Sequence, residues 1–351
     1  MFRSVNGYII KVTANLMETL YFLGIDISKK TFQAALTLDG MNMYELEVEN
    51  TSRTIQAYFQ ELKKKFNFLS RQLTVCLEHT GIYGYPILDY LTKKGIKVCV
   101  EPALQIKQSQ GMKRGKSDKV DARRIAQYAY KNRHELKFWK PQRPVVQKIK
   151  ALLVARDRLV KIRVQLSIPI AECQEYIEES IRKRIVKNCE HTLKALKKDI
   201  LKIEQEIEAL LKEDVHIQQE VQCATSVPGV GIITALNVIV ATNEFEKISE
   251  AKKFACYAGV APFEHTSGTS IRGKTRVSKM ANMTLKKLLT LASMSAVKWN
   301  EEIRVYYKRK VAEGKNKMCV LNAVRNKLIS RIFACVKNKR LYQKVYQHAL
   351  V

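Results

Sequence analysis

Residues 21–48, YFLGIDISKKTFQAALTLDGMNMYELEV, decide the fold class. Three apolar runs, 21–28, 31–38 and 43–48, are set apart by polar breaks, and the second break holds Asp39-Gly40, a dipeptide that favours a tight hairpin. The pattern predicts three antiparallel strands. The first run carries an acid, Asp26, between Ile25 and Ile27. A carboxylate there is costly unless something binds it. The plainer account is a strand-end residue capped by Ser28 and its neighbours.

Outward from this stretch the chain alternates. Residues 51–66 place Ile55, Tyr58, Phe59, Leu62 and Phe66 at helical spacing behind a Thr/Ser cap. Residues 73–78, LTVCLE, read as a strand that again ends in an acid, Glu78. A helix over 85–94 and a buried strand over 97–100 follow. Alternating strands and helices, with carboxylates at strand ends, predict an α/β layer with its site at one edge. Residues 113–129, KRGKSDKVDARRIAQYA, then place Asp118 and Asp121 three apart, on one face of a helix. Lys113, Arg114, Lys116, Lys119, Arg123 and Arg124 surround them, and the run taken alone is equally an ordinary solvated face.

From about 145 to 222 the sequence is helix-rich. Leu152, Leu159 and Leu166 are seven apart, and Leu193, Leu196, Ile200, Ile203, Ile207 and Leu210 recur in steps of three and four. That is a heptad seam, which makes either an antiparallel hairpin or a dimerising coiled coil. Residues 226–235, SVPGVGIITA, match a helix-hairpin-helix, in which Gly229 and Gly231 would expose backbone N–H groups to a phosphate. A plain glycine turn between packed helices is the alternative. Residues 261–279, APFEHTSGTSIRGKTRVSK, read as a polar, basic loop. Its hydroxyls, Thr266, Ser267, Thr269 and Ser270, lie beside Arg272, Lys274, Arg276 and Lys279, a setting that suits phosphate binding or a nucleophilic serine alike. Basic amphipathic helices over 283–296 and 300–336 close the chain.

The 351 residues carry a formal charge of +29, from 62 Lys+Arg against 33 Asp+Glu. The excess is concentrated in 101–150 and 268–351, which points to a polyanionic partner, in the first place nucleic acid. Nothing is long and apolar enough to span a bilayer. The eight cysteines include no CxxC pair, so reduced thiols in a cytoplasmic, nucleoid-associated protein are expected rather than zinc. Residues 1–20 read as an appended extension.

Asp26, Glu78, Asp118 and Asp121, brought together on a basic protein, would repel unless they held divalent metal. Hard oxygen donors select Mg²⁺ or Mn²⁺. Two such ions about 4 Å apart serve phosphodiester chemistry.

The segments GIDISKKTFQAAL, LEHTGIYG, KSDKVDARRIA, SVPGVG and FACYAGVAPFEHTSG, with the RVSK to KKLL run, occur in that order. They resemble the insertion-sequence one-ten (and eleven-eleven) family of DEDD transposases, which includes the Piv DNA invertase. The resemblance implies an RNase H-like (RuvC-like) N-terminal domain with a D-E-D-D tetrad on Asp26, Glu78, Asp118 and Asp121. It implies a helical coiled-coil middle and a helical C-terminal transposase domain. It also implies a serine, here Ser267, that attacks DNA to form a phosphoserine, a homo-oligomer, and a non-coding bridge RNA pairing with donor and target DNA. The expected domains are an extension over 1–20, a catalytic domain over 21–144, a coiled-coil region over 145–222, a transposase domain over 223–340 and a tail over 341–351. A RuvC-like junction resolvase that hydrolyses with water, and a non-catalytic nucleic-acid-binding protein, are the competing readings.

Overall fold

The computed structural model describes residues 2–5, 8–11, 21–79, 81–109, 117–172, 177–267, 271–277 and 281–343. It divides into two compact units, Met1–Pro141 and Gln142–Val351.

The first unit begins with a hairpin of β1 (Phe2–Val5) and β2 (Tyr8–Lys11), within the extension over 1–20. Its centre is β3 (Tyr21–Ile27), an apolar run buried on both faces, as a central strand requires. It pairs antiparallel with β4 (Thr31–Thr37), and β4 pairs with β5 (Tyr44–Glu49) across the expected Asp39-Gly40 turn. Gly40 has φ +79°, a left-handed value that glycine adopts freely. Helix α1 (Ser52–Phe66) is capped by Thr51 in a capping box with Thr54 and buries Ile55, Tyr58, Phe59 and Leu62.

The chain then enters β6 (Leu73–Glu78), crosses through α2 (Tyr85–Lys93), and returns as β7 (Lys97–Glu101). Both strands run parallel to β3. The resulting order, β5-β4-β3-β6-β7, is the mixed sheet that an RNase H-like layer requires. Helices α3 (Ala103–Gln108) and α4 (Asp118–Lys131) complete the unit.

Helix α4 sits directly on the central strand. A Cβ added at Gly24 would lie 2.2 Å from the Ala126 amide nitrogen and 2.4 Å from the Ala122 carbonyl oxygen. Only a hydrogen side chain on β3, facing alanines on α4, allows this approach. Ala35, Ala122 and Ala126 form the small buried cluster around it.

The second unit opens with two long helices, α5 (Pro144–Glu172) and α6 (Glu179–Glu213), which pack antiparallel. Val146, Ile149 and Leu153 meet Ile207 and Leu211, and farther along Arg156 Nε donates to Glu204 Oε1 at 2.7 Å. Helices α7 (Val215–Thr225) and α8 (Ile232–Thr242) follow, joined by the Pro-Gly-Val-Gly turn. Then come α9 (Ala251–Tyr257), a β8–β9 hairpin (Pro262–Ser267 and Ile271–Val277), α10 (Met283–Trp299), α11 (Glu301–Ala312) and α12 (Lys317–Lys337). Phe254, Leu289, Leu328 and Ile329 lie in its core.

Two expectations change here. Residues 261–279 are not a plain loop, since β8 and β9 pair antiparallel. Phe263, Ile271 and Val277 are too sparse to announce alternation. The run over 300–336 is two helices, because Gly314 turns the chain at φ +80°.

Candidate active site

The four acids singled out in the sequence all belong to the first unit. Asp26 lies near the end of β3, where Ile25 is in parallel register with Leu77. Glu78, the last residue of β6, is therefore its neighbour one step on. Asp118 and Asp121 occupy the first turn of α4, whose N-cap Ser117 accepts the Val120 N–H at 3.3 Å. Acids are favoured there by the helix dipole. Because α4 rests on Gly24, this first turn is anchored to the strand that carries Asp26.

Electrostatics register the convergence. The Asp26 carboxyl is pushed up to about 6, first by burial and then by the charges of Glu78, Asp118 and Asp121. Three acids within electrostatic reach of a half-buried fourth leave local negative charge on a chain whose total is +29. Some of it is offset from within, since Arg124 Nη1 donates to Asp121 Oδ1 at 2.9 Å. As a donor set the four carboxylates suit a hard divalent ion. Among the described residues, the group whose ligand atoms all lie within 4.8 Å of one another is His216, Glu220 and Glu244, in the other unit.

One acid at this edge escaped the sequence reading. Glu101 ends β7, pairs in register with Glu78 and is buried, with 8 % of its surface exposed. The signal was present: KVCVE ends in an acid as LTVCLE does, and GIDIS carries one near its end. Stopping the strand at Val100 hid it.

The expected nucleic-acid contacts differ in their settings. Arg123 is bonded through Nε and Nη2 to Glu45 on β5, the second contact at 2.9 Å, and this pairing holds the Glu45 carboxyl below its ordinary range. Gly229 has φ +83°, and a Cβ there would lie 2.4 Å from the Ala292 carbonyl oxygen, so its place in the turn is set by close packing against α10. Gly231 caps α8, with open space where a Cβ would be. Arg276 is exposed on β9. Lys113, Arg114, Lys116, Lys279 and Ser270 lie outside the described residues, as do the side chains of Ser267, Arg272 and Lys274. The backbone of Ser267 ends β8, opposite Ile271.

Two family profiles match this chain: a DEDD transposase profile of the IS110 type over residues 23–175, and the "Transposase IS116/IS110/IS902 family" over 221–308. Together they take in well over half of it. The chain belongs to the IS110 family of transposases. This transposase is 25% identical over 334 residues to the pilin gene-inverting protein of Moraxella bovis, covering 92% of the chain and 98% of that relative. It is also 25% identical over 364 residues to the transposase for insertion sequence element IS1111A of Coxiella burnetii, covering 95% and 94%. The Thermus thermophilus RuvC structure in complex with a Holliday junction substrate aligns with 34% of the transposase and 99% of its own length, at 15% identity and a TM-score of 0.28. The fold of the first unit is defined by its strand order, β5-β4-β3-β6-β7. No helix among the described residues is long and apolar enough to cross a membrane.

Proposed function

We propose that this transposase excises and inserts a mobile DNA element. In this reading Asp26, Glu78, Asp118 and Asp121 hold divalent metal and Ser267 is the nucleophile. The observation that carries it is the placement of Asp26 beside Glu78 on parallel strands, with Asp118 and Asp121 on the α4 turn seated over the same strand, a crowding that raises the Asp26 carboxyl. Such crowding calls for a cation from outside. The donors suit Mg²⁺ or Mn²⁺, two ions in all, which when bound neutralise charge on the phosphodiester and on its attacking and leaving oxygens.

The chain's own residues then have distinct tasks. Asp26 and Glu78 hold their oxygens from strands, and Asp118 and Asp121 from the anchored first turn of α4. The Ser267 Oγ attacks phosphorus and gives up its proton; a phosphoserine ester forms, and the P–O bond to the departing strand breaks. The departing oxygen takes up a proton. A hydroxyl of the incoming strand later attacks the same phosphorus and releases the serine. Arg272, Lys274 and Arg276 stabilise charge on the phosphoryl group. Lys113, Arg114, Lys116 and Lys279 bind backbone phosphates, with Gly229 and Gly231 presenting N–H groups, and Arg123 and Arg124 join them by exchanging their carboxylate partners.

DNA as substrate is supported by the relatives' descriptions as a gene-inverting protein and a transposase. The bridge RNA, like the choice of Ser267 over Ser270, rests on the family resemblance. An oligomer joined through the α5–α6 hairpin is supported by its exposed Ile162, Ile168, Ile181 and Val186.

The test is to purify the protein from cells carrying the element's flanking DNA and incubate it with a labelled donor junction and Mg²⁺. Protein-linked DNA is read on a denaturing gel, with Ser267→Ala alongside. An adduct that needs Ser267 and co-purified RNA is the expected result. Metal-dependent nicks without an adduct would replace the serine step with hydrolysis by water.

A further inference from the structure

The second unit contains a polar cluster that neither the family resemblance nor the proposed chemistry uses. It lies where three elements meet: the start of α5, the first turns of α7, and the turn after α8. His216 and Glu220 are four apart on α7, so they share one face. Glu244 follows α8 in a turn whose Asn243, Glu244 and Phe245 all have positive φ, at 50°, 55° and 62°. That conformation costs free energy for non-glycine residues and here brings the Glu244 side chain back toward α7.

The distances resemble a ligand set. His216 Nδ1 lies 3.1 Å from Glu244 Oε1, and ligand atoms of His216, Glu220 and Glu244 all lie within 4.8 Å of one another. Ligands about 2.0–2.2 Å from a tetrahedral ion stand roughly 3.4 Å apart. The histidine–Glu244 edge already has that length, and Glu220 has little more than about an ångström to close.

Clustered acids alone would signify nothing. The second observation is Glu220 itself. It is 9 % exposed, and its Oε2 is sealed from solvent with no hydrogen-bond partner. A buried carboxylate oxygen left without a donor is expensive, and native proteins rarely tolerate one. Asn243 Oδ1, on the adjoining turn, is sealed and unpartnered as well.

Local charge points the same way. Arg143 donates through Nε and Nη2 to Glu244 and through Nη1 to Asp214 Oδ2 at 2.7 Å. One guanidinium thus faces Asp214, Glu220 and Glu244, so the carboxyl groups outnumber the cation beside the imidazole. Each carboxylate oxygen has two lone pairs, so Glu244 can keep Arg143 and still bind an ion.

We propose that His216, Glu220 and Glu244 form a second metal site, structural in role, for a first-row divalent transition ion of the Zn²⁺ or Mn²⁺ class. One imidazole with two carboxylates is borderline in softness and suits these ions, whereas an all-oxygen set favours Mg²⁺. The bound ion would clip the base of α7 to the turn after α8. It thereby fixes the helix-turn-helix that α7 and α8 form around Gly229.

The test uses the full chain carrying Asp26→Asn and Asp118→Asn, so that the acids of the first unit do not contribute. After stripping with chelator, Zn²⁺ is titrated in, bound metal is counted by elemental analysis after gel filtration, and the melting temperature is followed. One retained ion per chain and a raised melting temperature are expected. His216→Ala, at an exposed position that leaves the thiols untouched, should weaken binding by more than the roughly 10–100-fold typical of losing an outer-sphere partner. Glu220→Gln should do the same while preserving shape. No retained ion, or an ion that survives either substitution, overturns the proposal.

Discussion

Each unit buries a carboxylate among other acids, and the two differ in what supplies the opposing charge. In the first unit Asp26 faces Glu78, Asp118 and Asp121, and its carboxyl is raised to about 6. Asp118 is exposed at the open first turn of α4. In the second unit Glu220 is raised to about 7, first by burial and then by Glu244, while Arg143 lowers it. There the protein's own guanidinium spans two of the acids, while Glu220 is buried and both Arg143 and His216 reach solvent. In the function proposed above, the first arrangement leaves its charge to an exchangeable ion and a polyanionic substrate. The second uses charge as a joint between helices. Similar raised carboxyls therefore do not mean similar roles; solvent access and the internal counter-ion separate them.

The comparison can be broken most sharply at Asp118. Asp118→Ala should lower DNA cleavage and joining by about 100- to 1000-fold, the scale of removing a group that stabilises transition-state charge. Its exposure predicts an unchanged melting temperature. Retained cleavage, or a large loss of stability, would make the first cluster structural like the second.

Gly24→Ala comes next, because its Cβ would collide with backbone rather than with a flexible side chain. A loss of about 3 kcal/mol or more is expected from such overpacking, read as a lower urea midpoint. Cleavage per folded molecule should fall too, as α4 is pushed off β3.

In the second unit, Arg143→Met removes the cation shared by Asp214 and Glu244. A fully buried pair broken this way costs 3–5 kcal/mol, and partial exposure of Arg143 reduces the expectation to about 2 kcal/mol. Zn²⁺ should recover part of the loss, and failure to do so would mark the joint as purely a salt bridge.

The smallest effect is on pH dependence. A carboxyl raised in the folded state binds its proton more tightly there than in the unfolded chain. Its contribution is thus full below its ordinary value of 3.8 and is lost as pH rises through about 6 for Asp26. For Glu220 the corresponding window runs from 4.5 to about 7. Metal-free protein should lose stability across these ranges, measured by urea unfolding at each pH. Asp26→Asn should flatten the lower window and Glu220→Gln the upper, while Mg²⁺ offsets the loss assigned to Asp26 alone.

Much of the first unit was legible because its signals are local. The Asp39-Gly40 turn, the Thr51 cap and the acids ending apolar runs each occupy a few residues, and the strands and helices expected over 21–100 formed within a residue or two of their expected bounds, whereas the β1–β2 hairpin and α3 were not expected. Glu101 was missed by one residue of strand length. The β8–β9 hairpin was missed because backbone pairing, with hardly any apolar alternation, makes it. His216 and Glu220 at i, i+4 could have been noticed, but nothing in the sequence joins them to Glu244 or Arg143.

By itself the sequence determined most elements of the first unit's sheet layer, the concentration of positive charge and, through ordered motifs, the transposase family, since periodicity, capping and composition act over short stretches or as sums. Only the tertiary structure decided which acids meet. Glu78 reaches Asp26 through parallel pairing of β6 with β3, and Asp118 and Asp121 through the seating of α4 on Gly24. Charges interact through space at distances of a few ångströms, and chain separation carries no record of that distance until the backbone has closed.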